Sequence, residues 1–135
     1  MDIKNLNGDV IHTTAEETLA GVDFYKASLP QANFEGADLT GSRFYSANLA
    51  GANFHNAKAK SVDFQIANLT GANLSGADLS YTNMLDTNLS GADLTDANLK
   101  WVVWKGTKYS KETKFPKGFK PQAHEMVLVT EALAV

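Results

Sequence analysis

With 135 residues, of which 44% are hydrophobic and 20% charged, the chain suits one domain with a packed core. A net charge of −3 is too mild for the whole molecule to steer a charged partner, and the absence of cysteine excludes a disulfide framework and a thiolate metal site. No apolar run approaches the roughly 20 residues of a membrane span, and Met1–Asn7 lacks the apolar stretch of a signal peptide, so a cytoplasmic location is expected.

Residues 1–20 read as an N-terminal cap. Asn7-Gly8, flanked by Ile3, Leu6, Val10 and Ile11, is a strong hairpin signal over residues 2–11. Thr14 followed by Glu17 has the spacing of a capping box and predicts a short helix over 14–20.

From 21 to 109 the period is five. Stepping by five from Phe24 gives Leu29, Phe34, Leu39, Phe44, Leu49 and Phe54, and continues to Leu94, Leu99, Trp104 and Tyr109; Ala59 is the one small member. Two positions earlier the residues are small or β-branched throughout, from Val22 and Ala27 to Val102 and Thr107. This period fits neither a helix nor a simple strand. It fits short extended sides, each with one small and one large inward residue, joined by corners rich in Asn, Asp, Gly, Ser and Thr. Sorting the central residues by every twentieth position gives nearly homogeneous columns: Phe24, Phe44, Phe64, Met84, Trp104 on face one; Leu29, Leu49, Leu69, Leu89, Tyr109 on face two; Phe34, Phe54, Leu74, Leu94 on face three; Leu39, Ala59, Leu79, Leu99 on face four. Eighteen pentads on four faces make about 4.5 coils, a rod of about 22 Å at the ordinary strand spacing.

Stretches such as Gly71-Ala72-Asn73-Leu74-Ser75 and Gly91-Ala92-Asp93-Leu94-Thr95 resemble the A(D/N)LXX signature of pentapeptide-repeat proteins. The resemblance implies an all-β solenoid, a right-handed quadrilateral β-helix with four pentapeptides per coil. The segment Thr113–Pro121 resembles the tail of small cyanobacterial-type members.

Residues 110–135 are expected to form the C-terminal cap and tail. Phe115 and Phe119 are placed to plug the last coil, Pro121 to open a short helix over about 121–126, and Met126–Thr130 to run extended, closing the last coil or pairing with another copy.

Little in the chain points to catalysis. His12, His55 and His124 have no ligand spacing and read as surface residues, and the regularly spaced Asp23, Asp38, Asp63, Asp78 and Asp93 serve turns. No catalytic, cofactor-binding or metal-binding residue is assigned, and the chain reads as a non-enzyme. The outer surface is more informative. Tyr25, Tyr45, Ile66, Tyr81, Leu85, Trp101 and Val103 gather along one side and form the candidate interaction patch for an unknown protein partner or a homodimer. Scattered surface aromatics, or Trp101 and Val103 packed under the tail, are the plainer alternatives. Charge is segregated: one basic and four acidic residues in 1–20, four and eight in 21–99, seven lysines and three acids in 100–135. Lysine without arginine or stacking aromatics is poor material for a nucleic-acid site, and nothing points to a membrane. The leading functional reading is a non-catalytic scaffold or interaction module. The alternative, a DNA-mimicking binder of DNA gyrase as some members of the resembled family are, wants phosphate-like acidic columns; here they read Asp23, Arg43, Asp63, Asn83, Val103 and Asp38, Lys58, Asp78, Asn98.

Overall fold

A computed structural model describes residues 1–130; the last five residues of the expected 110–135 cap lie outside the described residues. Each pentad places one residue in a bridge, and the bridges step by twenty: Asp23 to Arg43 to Asp63 to Asn83 to Val103 on face one, with equivalent parallel series on the other three. Twenty residues, or four pentads, therefore make one coil of a right-handed quadrilateral β-helix. Successive coils are joined by a fixed pattern. The central residue donates upward (Phe24 N to Arg43 O, 2.7 Å), the residue before it donates downward (Arg43 N to Val22 O, 3.0 Å), and the second corner residue donates upward (Lys26 N to Tyr45 O, 2.9 Å). A fourth bond, Ala27 N to Phe24 O at 3.0 Å, closes the corner.

The corners show why their composition is polar. The second corner residue has positive φ, from Lys26 at 56° to Gly106 at 74°, as a turn of this handedness requires. Where Asn or Asp precedes the centre, its Oδ1 accepts from the backbone N–H two residues on, as in Asn53 from His55 at 2.9 Å and Asp93 from Thr95 at 2.9 Å. The side chain thus substitutes for part of the turn's own backbone bonding.

The core is the stack of central residues. Phe24, Phe44 and Phe64 are stacked at 4.9 and 5.6 Å, Phe34 and Phe54 at 5.2 Å, and the opposite faces one and three meet edge to face across the core. Beside this column lie two orphan hydroxyls. Ser42 Oγ and Thr82 Oγ1 are buried without a hydrogen-bond partner, whereas Thr87 and Thr107 donate to Phe64 O and Met84 O, both at 2.6 Å. An unsatisfied buried hydroxyl costs about 1–3 kcal/mol. Thr82 sits two positions before its centre in a column otherwise holding Val22, Ser42, Val62 and Val102. Thr82→Val is therefore expected to raise the melting temperature by a few degrees in thermal denaturation followed by circular dichroism, and Thr87→Val to lower it.

At the N-terminus β1 (Asp2–Lys4) pairs antiparallel with β2 (Val10–Thr13). The tip is closed by Asn5, whose Oδ1 accepts from Asn7 and Asp9, and Gly8 takes φ 87°. The hairpin docks on face three through Leu6 N to Gln31 O and Asn33 N to Lys4 O. The helix expected over 14–20 is not there. The backbone N–H of Thr14, which a capping box would give to Glu17, is already bonded to Met1 O. The Thr14 hydroxyl instead meets Glu16. The segment runs as bends, and Leu19 takes the place of a face-four centre: Val22 N reaches Leu19 O, and Gly21 N reaches Thr40 O. The repeat thus begins one pentad earlier than Phe24.

At the other end Lys114 bridges Asp93, a step of twenty-one, so one extra residue enters after Tyr109. Phe115, Phe119 and Met126 pack on the core, with Phe119 5.2 Å from Trp104. The helix at Pro121 is a single 3-10 turn, Pro121–Ala123, shorter than the expected 121–126. It ends there because His124 N closes back on Pro121 O. Beyond it β4 (Val127–Leu128) pairs in parallel with β3 (Lys108–Tyr109) and covers face two.

Candidate interaction surface

The seven residues of the expected patch all reach the outside, in two groups flanking face one. Tyr25, Tyr45, Ile66 and Leu85 occupy the corner between faces one and two; Tyr81 and Trp101 occupy the corner between faces four and one; Val103 lies on face one between them. Tyr25 and Tyr45 touch, with ring centroids 5.7 Å apart, and the Lys26 ammonium lies 5.3 Å from the Tyr25 ring. Lys60 stands 5.4 Å from the Tyr81 ring. Tyr45 and Leu85 are half-buried and the other five exposed. The alternative of Trp101 and Val103 packed under the tail fails: Trp101 is 74% exposed, and it is Trp104, at 5%, that the tail covers. Register explains this, because Trp104 is a central residue aimed inward and Trp101 a corner residue aimed outward.

Ile66, Tyr81 and Trp101 share a backbone feature that composition alone does not reveal. All three sit at the left-handed corner position, with φ of 60°, 61° and 62°. Most other non-glycine residues there are short and polar, such as Ser46, Asn56, Ser61, Asp86 and Asp96. A bulky or β-branched residue in this region is strained.

The histidines do not converge. His12 packs edge-on against Phe24 at 5.6 Å, His55 Nδ1 lies 2.8 Å from Ser75 Oγ, and His124 stacks on Phe119 at 4.7 Å. His12 and His55 are half-buried and His124 is exposed, and His12 and His124 also pack against rings of the two ends. Among the described residues no group of three or more His, Asp or Glu is arranged to hold a metal ion, and no helix is long and apolar enough to cross a membrane.

Two concavities were not foreseen. A small one between Asp23, Tyr25, Arg43 and Tyr45 lies at the start of face one. A larger groove of about 600 Å³ opens at the C-terminal end, between Ala97–Val102 and the tail segment that carries Pro116 and Phe119. The sequence signals for the groove are the interrupted register after Tyr109 and Pro116, which has no N–H to give to a ladder.

The corner aspartates have a measurable consequence. Asp38, Asp78 and Asp93 are held below the ordinary carboxylate value of 3.8, first by the hydroxyls of Thr40, Ser80 and Thr95, with the backbone N–H of those residues adding to it. Depressed folded values add stability that is complete above pH 3.8 and is lost as pH falls through the lowered values. The melting temperature is expected to drop below about pH 4. Asp38→Asn/Asp78→Asn/Asp93→Asn should flatten that acid limb while changing neutral-pH stability little, because Asn68 and Asn73 already accept the same bonds from Thr70 and Ser75.

The pattern of pentapeptide repeats matches residues 19–56, 43–76 and 67–103, with eight copies in all. The chain belongs to the pentapeptide-repeat family. Its match begins at Leu19, in accord with the early first pentad. A pentapeptide-repeat protein of the Arabidopsis thaliana thylakoid lumen is similar, with 29% identity, a TM-score of 0.68 and coverage of 70% of this chain; this chain spans 66% of that structure's length. A pentapeptide-repeat protein from Nostoc shares 28% identity, covering 79% of this chain and 84% of its own, with a TM-score of 0.32. QnrB1, a plasmid-mediated fluoroquinolone resistance protein, shares 15% identity over 86% of this chain and 88% of its own, with a TM-score of 0.33, too low to carry an argument about partners. No curated protein sequence matches.

Proposed function

We propose that this pentapeptide-repeat chain is a non-catalytic interaction scaffold whose partner-facing side is face one with its two flanking corners. One observation carries the reading: Ile66, Tyr81 and Trp101 place large side chains at left-handed positions, where each costs on the order of 1–3 kcal/mol, and present them to solvent. Glycine or asparagine would serve the fold better, so the side chains are retained for something outside it. Tyr45 and Leu85 extend the same surface. A double variant, Tyr45→Ser/Leu85→Ser, keeps the inward residues intact and is expected to abolish association, whether with a partner retained by the full chain from native lysate or with a second copy. Light scattering and the pull-down read the two cases, and an unchanged mass with unchanged capture would sink the reading.

The stacked columns weigh against the gyrase-binding alternative. Arg43 bridges Asp23 and Asp63, and Lys58 bridges Asp38 and Asp78, so basic residues break the acidic series on two faces of one coil. A supercoiling assay with a fluoroquinolone is expected to show no protection of gyrase by this chain. A cytoplasmic location belongs to the same proposal; cell fractionation tests it, and recovery from a lumenal or periplasmic fraction would overturn it.

A further inference from the structure

Among the described residues, part of the last coil's edge is left without a neighbour. From Asp23 to Lys114 nearly every coil edge is paired, but the last one is open over face four and the start of face one. Leu99, Trp101 and Trp104 donate their N–H groups to nothing among the described residues, and Ala97 and Val102 carbonyls accept nothing. One coil below, the equivalent groups show what this edge is built to bind. Leu79, Tyr81 and Met84 donate to Asn98, Lys100 and Val103 at 2.9 Å each; Ala77 and Thr82 accept from Asn98 and Val103 at 2.9 and 3.0 Å. Among the described residues the tail does not supply the neighbouring strand. It passes on the far side of the groove, with Phe119 turned to Trp104.

We propose that the open edge from Ala97 to Trp104, with the groove beside it, receives an extended acidic segment of a partner protein as an added β-strand. The inference rests on the interaction-scaffold reading and names a second binding element, which shares Trp101 and Val103 with the face-one surface. Lysines at an exposed edge guard against indiscriminate pairing; here Lys100 and Lys117 leave an acidic strand as the matched one. Trp101, Val102, Pro116 and Phe119 give the groove apolar walls, while its charged rim is Lys100 and Lys117 with no carboxylate among the lining residues. Seven lysines fall between 100 and 120. Backbone pairing supplies the affinity in this mode, and the rim supplies the choice of partner. The added strand turns the corner at Trp101, so it needs a residue that accepts positive φ there.

The probe is the blocked octapeptide Ala-Asp-Leu-Glu-Gly-Val-Asp-Leu, with a control in which lysine replaces Asp and Glu, titrated into the isotopically labelled full chain. Saturable binding with a Kd of about 1 mM or tighter is expected for the acidic peptide only. The amides of Leu99, Trp101 and Trp104 should exchange about tenfold more slowly in the complex, while that of Leu79 is unchanged. Lys100→Glu/Lys117→Glu should weaken binding about tenfold. No saturation at about 1 mM, or binding that leaves the three amides unprotected, overturns the proposal. So does protection before any peptide is added, which would mean that the chain itself or a second copy covers the edge. Failure of the face-one reading is seen elsewhere, in Tyr45→Ser/Leu85→Ser, which leaves the groove untouched.

Discussion

Phe44→Ala is expected to destabilise the domain by about 3–5 kcal/mol, the usual cost of emptying a buried aromatic site. Phe44 is fully buried and holds more of the core together than its neighbours do. Its ring stacks on Phe24 at 4.9 Å and Phe64 at 5.6 Å, and meets Phe34 and Phe54 edge-on at 5.7 and 6.2 Å. Truncation therefore removes contacts in its own coil, in the coil above and in the coil below. A solenoid is stabilised by coil and nearest-neighbour terms, so one deletion in the middle weakens two interfaces together. The surroundings cannot collapse onto the gap, since each strand is fixed by ladder bonds on both edges. Urea unfolding followed by circular dichroism measures the loss. Tyr45→Ser, one residue on and pointing outward, serves as the control and should shift stability by less than about 0.5 kcal/mol. Equal losses in the two variants would mean that the face-one stack does not hold the coils together.

The same regularity decides what could be read in the sequence. The β-helix is legible because every coil repeats the same choice: a large residue inward, a small one two before it, and a polar corner. The twenty-residue columns, such as Phe24 to Phe64, come from side chains that touch across coils, so contact and sequence period coincide. The ends lack that redundancy. Thr14 and Glu17 match a two-residue pattern, and nothing local shows that the Thr14 N–H is taken by Met1 O. The outward positions of Trp101 and Val103 follow from register, but whether a tail covers them depends on the path of residues 110–126, where the register has slipped by one. The strain at Ile66, Tyr81 and Trp101 was within reach of the sequence, since corner positions are countable and bulky residues there stand out. The open edge was not, because it is defined by a strand that is missing.

Ala59→Leu is expected to stabilise the protein by on the order of 2 kcal/mol and to raise the melting temperature by several degrees. Ala59 is the one small residue among the central positions and is fully buried on face four. Whether a leucine fits is decided by its two flanking rings, Phe54 on face three and Phe64 on face one. Their centroids are 5.9 Å apart and perpendicular at 87°. One coil earlier Leu39 occupies the equivalent site between Phe34 and Phe44, whose centroids are closer, at 5.7 Å, with an angle of 68°. A leucine is thus accommodated at full burial where the frame is, if anything, tighter. The corner after Ala59 also has a long closing bond, Val62 N to Ala59 O at 3.4 Å against 2.9 Å for Ser42 N to Leu39 O. Burying three further carbon atoms in an existing apolar frame adds stability unless a ring must leave its rotamer, in which case overpacking costs about 1–3 kcal/mol. Thermal denaturation of Ala59→Leu separates the two. A lowered melting temperature would mean that Phe54 and Phe64 have closed over the site and that Ala59 is the complement of their edge-to-face contact.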